Sequence, residues 1–424
     1  MTSTPQKTAP HRGKLAVLMP GLGAVATTFM AGAMLVRRGK SSPVGSLTQL
    51  GQIETSGEHK GAPVRELVDL APLEDLVFGG WDIYEESTYE AAKRANVLSP
   101  AHLEEAREEL EQISPMPAVF DQRYVRNLEG PNVKKAGNKM ALAEALVADI
   151  GNFIANNGCD RAVGVWCGST EVFVQPSRVH MDLDAFERGL KENDDAISPA
   201  MIYAYAFARA GVPLANGAPN LALDVPAIQQ LAREQGVAIA GKDFKTGQTL
   251  MKTILAPGFA TRYLGVRGWY STNILGNLDG VVLDDPGSFK TKEASKLSVL
   301  ESILDGEANP QLYGELDHKV RIDYYPPRGD NKEGWDNIDI FGWMGYPMQI
   351  KVNFLCRDSI LAAPIVLDLA LLLDLAQRGG KSGVQEWLSF YFKSPQTSEG
   401  GLPEHDLFEQ RRMLEQTLLE LRRS

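Results

Sequence analysis

Between Leu15 and Val36 the chain runs for 22 residues without a charge, flanked by Arg12 and Lys14 before it and Arg37 and Arg38 after it. By length alone such a run could span a bilayer or form the core of a signal peptide. Pro20, Gly21, Gly23 and Gly32 interrupt it, however, and it divides into an apolar strand from Leu15 to Met19, a glycine turn and a small-residue helix from about Ala24. The pattern therefore predicts strand, turn and helix, with no membrane involved. Further along, the spacing of apolar positions predicts helices over Ala101–Ile113, Met140–Asn156 and Ala200–Ala210. Short strands are expected at Ala162–Trp166, within Gly211–Gly217 and at Tyr263–Tyr270. A polar middle rich in Asp and Lys extends to about residue 345. The apolar run Ile360–Leu373 carries Asp368 and predicts a buried helix, and Glu404–Arg422 an amphipathic helix serving as a docking or subunit-contact element. Strands alternating with helices place the chain in the α/β class.

Composition narrows the function classes. Of 424 residues, 43 are Lys or Arg and 54 Asp or Glu, a formal charge of −11, with 44% hydrophobic residues. That is ordinary globular composition, and the acidic balance argues against nucleic acid as a partner. Cys159, Cys167 and Cys356 are too widely spaced for a disulfide framework or a CxxC site, which fits a reducing, cytoplasmic setting. The six histidines show no zinc-binding spacing, so no metal is expected. Cys167 reads as a small buried residue rather than a nucleophile, having no histidine nearby in sequence.

The first segment with chemical content is Gly21-Leu22-Gly23-Ala24-Val25-Ala26, a G-x-G-x-x-A between a strand and a helix. Glycines let a pyrophosphate approach the backbone, and the helix N-terminus offers unpaired N–H groups. The acidic residue expected about 20 positions later is missing, since Glu54 lies farther on in a polar stretch. The second set is three lysine-bearing segments, Gly241–Thr249, Ser288–Lys296 and Arg328–Lys332, together with Lys393 after an aromatic run. The first places hydroxyl, amide and backbone donors ahead of a helix, where they could hold a phosphate. Lys292 and Lys296 are four apart, on one face if their segment is helical. A single lysine of this kind is ordinarily a solvated surface charge; their conjunction in such loops needs another account.

These segments resemble, in order and wording, the myo-inositol-1-phosphate synthase family. The resemblance is carried by Gly45-Ser46-Leu47-Thr48-Gln49, Gly79-Gly80-Trp81-Asp82-Ile83, Asp243–Thr249, Leu275-Gly276-Asn277-Leu278-Asp279-Gly280, Ser288–Lys296, Gly329–Lys332, Cys356–Pro364 and Phe392-Lys393-Ser394-Pro395, covering about residues 14–424. It implies NAD as cofactor and a sugar-phosphate substrate, with oxidation, enolisation, aldol closure and reduction converting glucose 6-phosphate to an inositol phosphate. Carried over position by position, it implies catalytic roles for Lys292, Lys332, Lys393, Asp243 and Asp358. Lys292 would handle the proton at carbon 5, and Lys332 and Lys393 would stabilise the enolate and aldehyde oxygen. Clustered buried lysines are expected to have depressed pKa values. Cofactor contacts fall on Gly21, Leu22, Gly23, Ala24, Asp82, Ser169 and Asp330. Asp82 takes the adenosine ribose in place of the missing acid. Substrate contacts fall on Thr246, Gly247, Gln248, Thr249, Asn277 and Lys296.

The chain departs from the family pattern at Ala24, Val25 and Ala26 in the dinucleotide loop, at Leu278, over Cys167–Glu171 and at Asn331. Retention of all four lysines favours the cyclisation chemistry; a sugar-phosphate dehydrogenase releasing NADH and a noncatalytic dinucleotide-binding protein are the alternatives. The implied architecture is a discontinuous Rossmann-type domain, residues 11–249 and 362–424, with a catalytic and oligomerisation α+β domain inserted at 250–361. Residues 1–10 form a loose tail, and a homotetramer is expected.

Overall fold

A computed structural model describes residues 8–55, 57–398 and 401–423, with the side chains of 293–298 outside the described set. Its strands, in chain order, are β1 (Lys14–Pro20), β2 (Leu76–Asp82), β3 (Met116–Pro117), β4 (Cys159–Trp166), β5 (Leu214–Asn216), β6 (Ala238–Gly241), β7 (Gly265–Leu275), β8 (Asp317–Tyr324), β9 (Asn331–Phe341), β10 (Pro347–Arg357) and β11 (Gly383–Val384). Seven of them form one parallel sheet in the order β11-β6-β5-β4-β1-β2-β3. Strand β1 is apolar on both faces because both are covered. Leu15, Val17 and Met19 pack towards the helices Ala24–Arg37 and Asp358–Arg378, and Ala16 and Leu18 towards Lys139–Asn157 and Pro199–Arg209. Strand order reverses between β1 and β4, which opens a crevice beyond their carboxyl ends.

The uncharged run resolves into β1, a turn and the helix Ala24–Arg37. The helix Asp358–Arg378 is the one described helix long and apolar enough to cross a membrane, and most of it is buried inside the fold. Its Asp368 has no exposed surface and accepts hydrogen bonds from Ser46 Oγ (2.5 Å), Leu47 N (2.7 Å), Thr48 Oγ1 (2.6 Å), Thr48 N (3.1 Å) and Tyr391 Oη (3.1 Å). A carboxylate with five donors is tolerated in a core where an isolated one is not. The Gly45–Gln49 segment thus ties the central helix to the chain just before Lys393.

A second sheet, ordered β10-β9-β7-β8, forms largely from the polar middle of the sequence. The period-2 alternation of β9 turns Lys332, Asp336, Ile338 and Ile340 inward, where Ile338 and Ile340 pack against the helices Gly247–Thr261 and Pro286–Ile303. The polar texture of this region comes from the opposite face. There Tyr270, Trp335 and Leu355 are exposed among charged neighbours. The C-terminal helix, Leu407–Glu420, docks within its own chain: Gln410 meets Lys245, and Glu415 accepts from the backbone of Glu54 and Thr55.

Candidate active site

The crevice at the strand-order reversal is a cleft of about 600 Å³. Gly21 ends β1 at φ +88°, and a Cβ there would lie 2.4 Å from the Cα of Gly168, so this glycine lets the β1 and β4 loops touch. Gly23 caps the helix Ala24–Arg37, and a Cβ on it would meet nothing within 4 Å. Its surroundings are open on the cleft side, beside the unpaired N–H groups of a helix start. Asp82, at the end of β2, accepts from Leu22 N (2.7 Å) and Tyr84 N (3.2 Å). Burial raises its carboxyl pKa, against the lowering effect of those N–H donors. Ala24 and Ser169 line the same cleft. Leu22 does not: its side chain belongs to the core and its N–H is committed to Asp82.

At the other end of the cleft the lysines converge. Asp243, held at φ +63° and 1% exposed, accepts from Lys292 Nζ at 2.8 Å and Lys393 Nζ at 3.3 Å. A non-glycine residue in the left-handed region stores strain that tends to mark functional sites. Lys332 Nζ donates to Asp358 Oδ2 at 3.0 Å, beside Thr246, which also lowers the Asp358 pKa. Asp330 Oδ1 accepts from Asn277 Nδ2 (3.1 Å) and Ser359 Oγ (2.9 Å). Segments 242–246 and 391–396 pair to build this corner: Phe244 bridges Phe392, and Lys393 N donates to Asp243 O at 2.6 Å.

The electrostatics correct the expectation that clustering lowers every lysine. Burial lowers the Lys292 ammonium, but the Asp243 and Asp279 carboxylates outweigh it and the net pKa is raised. Lys332 behaves alike, with Asp358 and Asp279 overcoming burial. Lys393 alone of the three is depressed, to about 8, because burial and the neighbouring Lys292 and Lys332 outweigh Asp243. Desolvation pushes the Asp358 carboxyl up, yet Lys332 and Lys393 hold it well below the usual carboxylate range. Burial also depresses Lys245 to about 7 and Lys252 to about 8, and lowers Lys139 as well. Burial pushes the Cys167 thiol up, in keeping with an inert residue.

The remaining substrate-site candidates divide. Gly247, Gln248 and Thr249 are buried in the first turn of Gly247–Thr261, which starts beside Asp358. The Gln248 carboxamide faces away from the cleft: it donates to Thr272 O (3.1 Å), Trp335 O (3.1 Å) and Asp336 Oδ2 (3.0 Å) and accepts from Asn273. Sheet contacts therefore consume the amide that the sequence offered as a phosphate donor. Lys296 shares a helix with Lys292, and its side chain lies outside the described residues. Ser359 and Asp279 were missed as site residues, although both stand inside family-like segments. Glu171, raised to about 7 by burial, accepts from Ala200 N at 2.9 Å and was missed as well.

The residues suit a dinucleotide and a polyhydroxyl substrate. Two buried carboxylate oxygens lining the cleft, Asp330 Oδ2 and Asp358 Oδ1, have no hydrogen-bond partner among the described residues. Amide or hydroxyl donors would satisfy them. Among those residues no cluster could hold a metal ion.

A sequence profile described as myo-inositol-1-phosphate synthase matches residues 15–419. An inositol-3-phosphate synthase 1 of Bacteroides thetaiotaomicron is 54% identical over 97% of this chain and 96% of its own length. A probable inositol 3-phosphate synthase isozyme 3 of Arabidopsis thaliana is 34% identical over 97% and 86%. The crystal structure of inositol-3-phosphate synthase from Caenorhabditis elegans superposes with a TM-score of 0.90 at 28% identity, covering 98% of this chain and 87% of that one.

Proposed function

The chain belongs to the myo-inositol-1-phosphate synthase family, and from that premise we propose that it isomerises glucose 6-phosphate to 1D-myo-inositol 3-phosphate. The observation that carries the reading is the convergence of Lys292, Lys332 and Lys393 on the carboxylates of Asp243 and Asp358, at the end of a cleft whose glycine turn opens a helix. NAD, the cofactor, would supply reversible hydride-transfer chemistry at carbon 5. Gly21, Gly23 and Ala24 would hold its pyrophosphate, Asp82 its adenosine ribose, and Ser169 and Asp330 its nicotinamide half.

Lys393, with a pKa of about 8, is the amine suited to take the proton of the carbon 5 hydroxyl. That moves proton transfer away from Lys292, which Asp243 keeps as an ammonium ion. Lys292 and Lys332 then stabilise the enolate and the aldehyde oxygen as negative charge develops on each. Asp243 and Asp358 keep those cations charged and oriented. Thr246, the backbone N–H groups of Gly247, Gln248 and Thr249, Asn277 and Lys296 hold the phosphate-bearing chain of the sugar.

The uncovered face of the second sheet, with Tyr270, Trp335 and Leu355, supports a homotetramer, which light scattering checks directly. Three unpaired thiols support a cytoplasmic location. Residues 250–361 would form the inserted catalytic domain. The test is to incubate the protein with glucose 6-phosphate and a trace of NAD. Inositol 3-phosphate should form without accumulation of NADH, and substrate deuterated at carbon 5 should give product that keeps the label. Stoichiometric NADH with no inositol phosphate would favour a dehydrogenase.

A further inference from the structure

At the adenosine end of the cleft an arginine is present but occupied. Arg94 lies in the last turn of the helix Thr88–Ala95, which follows β2, and its side chain lines the cleft beside Asp82. Its Nε donates to Glu86 Oε1 at 2.8 Å, and its guanidinium carbon sits 4.4 Å from the centre of the Tyr84 ring. The stacking fixes the plane of the guanidinium, and the carboxylate fills its donor fork. In doubly wound dinucleotide folds an acid at the end of the second strand accepts from the 2′-hydroxyl of NAD, whereas a nearby arginine accommodates the 2′-phosphate of NADP. Both groups stand here, with Glu86 paired to the arginine.

We propose that Glu86 is a specificity-determining residue: by engaging Arg94 it masks a latent 2′-phosphate site, so that two carboxylates, Asp82 by repulsion and Glu86 by occupancy, exclude NADP. The proposal rests on the reading of the cleft as an NAD site, with Asp82 at the ribose. Glu86 needs no contact with NAD, because its partner is the arginine. With Glu86 neutral, the guanidinium, still stacked on Tyr84, is free to turn its fork towards a dianion.

The test measures dissociation constants for NAD and NADP by quenching of intrinsic tryptophan fluorescence, since Trp81 and Trp166 line the cleft. The full-length protein is compared as wild type, Asp82→Asn, Asp82→Asn/Glu86→Gln, and that double variant with Arg94→Ala added. Asp82→Asn removes the repulsion and should narrow the preference for NAD. Adding Glu86→Gln should strengthen NADP binding by about a further tenfold, the scale of one charge-assisted hydrogen bond gained, and should barely change NAD binding. Arg94→Ala should abolish that second gain, and raising the salt concentration should erode it. Glu86→Ala repeats the comparison without an amide that could refill the contact, and circular dichroism checks each fold. NADP affinity unchanged by either Glu86 substitution in the Asp82→Asn background would overturn the proposal, as would a gain that survives Arg94→Ala. Failure of the wild type to bind NAD would instead locate the error in the cofactor reading.

Discussion

Asp243 touches two lysines that the mechanism uses differently, so Asp243→Asn separates their contributions. The carboxylate lies 3.3 Å from Lys393 Nζ and 2.8 Å from Lys292 Nζ. At an effective dielectric constant of about 20 the longer contact alone corresponds to about 5 kcal/mol of attraction. A third of that, about 1.7 kcal/mol, still equals a change of about one pH unit in the Lys393 pKa. The sign follows from the charge: Asp243 favours the protonated amine and raises its pKa, so removing it lowers the pKa further. In the wild type, turnover should fall as the pH drops through about 8, where Lys393 becomes protonated and can no longer accept. In Asp243→Asn that acid limb should move down by about one pH unit or more, while the plateau falls about 100-fold because Lys292 loses its orienting partner. The folded state should also lose about 3–5 kcal/mol, the scale for stranding a buried charge. The assay is kcat against pH from inositol phosphate formation, with thermal unfolding to confirm a native fold. An acid limb that stays in place, or moves upward, would refute the assignment of Lys393 as proton acceptor under Asp243's influence.

The two glycines of the turn should fail in opposite ways. Gly23→Val, whose side chain enters open space, should keep the melting temperature while abolishing NAD binding by calorimetry. Gly21→Ala should destabilise the fold itself by at least about 1–2 kcal/mol in denaturant titration, because its φ is positive and its Cβ would strike Gly168. Lys332→Ala should lower kcat by about 100-fold or more, with Asp358 left without its 3.0 Å counter-ion; a rate near wild type would remove the lysine from the chemistry. Asp368→Ala strands the hydroxyls and N–H groups of Ser46, Leu47 and Thr48, and should cost about 3 kcal/mol or more in chemical denaturation.

The Rossmann half was legible because its signals are local. A fully apolar β1, the G-x-G turn and a small-residue helix follow one another within 24 residues, Lys14 to Arg37. The second sheet was harder to read, since β8, β9 and β10 alternate exposed with wholly or partly buried positions and so present a polar texture over 317–357. The site divides along the same line. That Lys292, Lys332 and Lys393 belong together came from family-like wording; their protonation states depend on which carboxylate each meets, a three-dimensional fact. Asp279 raises two lysines from a distance, and Gln248 turns into the sheet because Asn273 and Asp336 stand beneath it, on strands that no local pattern connects to the loop. Asp368 was visible as an anomaly in an apolar run, but four of its five donors come from Ser46, Leu47 and Thr48, about 320 residues upstream.

The pairing of segment 242–246 with segment 391–396 also bears on the order in which the enzyme is assembled at the ribosome. When the first 380 residues have emerged, six of the seven strands of the large sheet and the whole of the smaller one have been synthesised, together with Lys292, Lys332, Asp243 and Asp358. Lys393 and the edge strand β11 have not. The nascent chain thus acquires its dinucleotide crevice early, and the amine that gives the corner its basicity joins only when nearly the entire polypeptide is available. On the proposed mechanism, competence for the first proton transfer would coincide with completion of the fold, and a prematurely terminated product would carry a cofactor cleft without the amine proposed as its base.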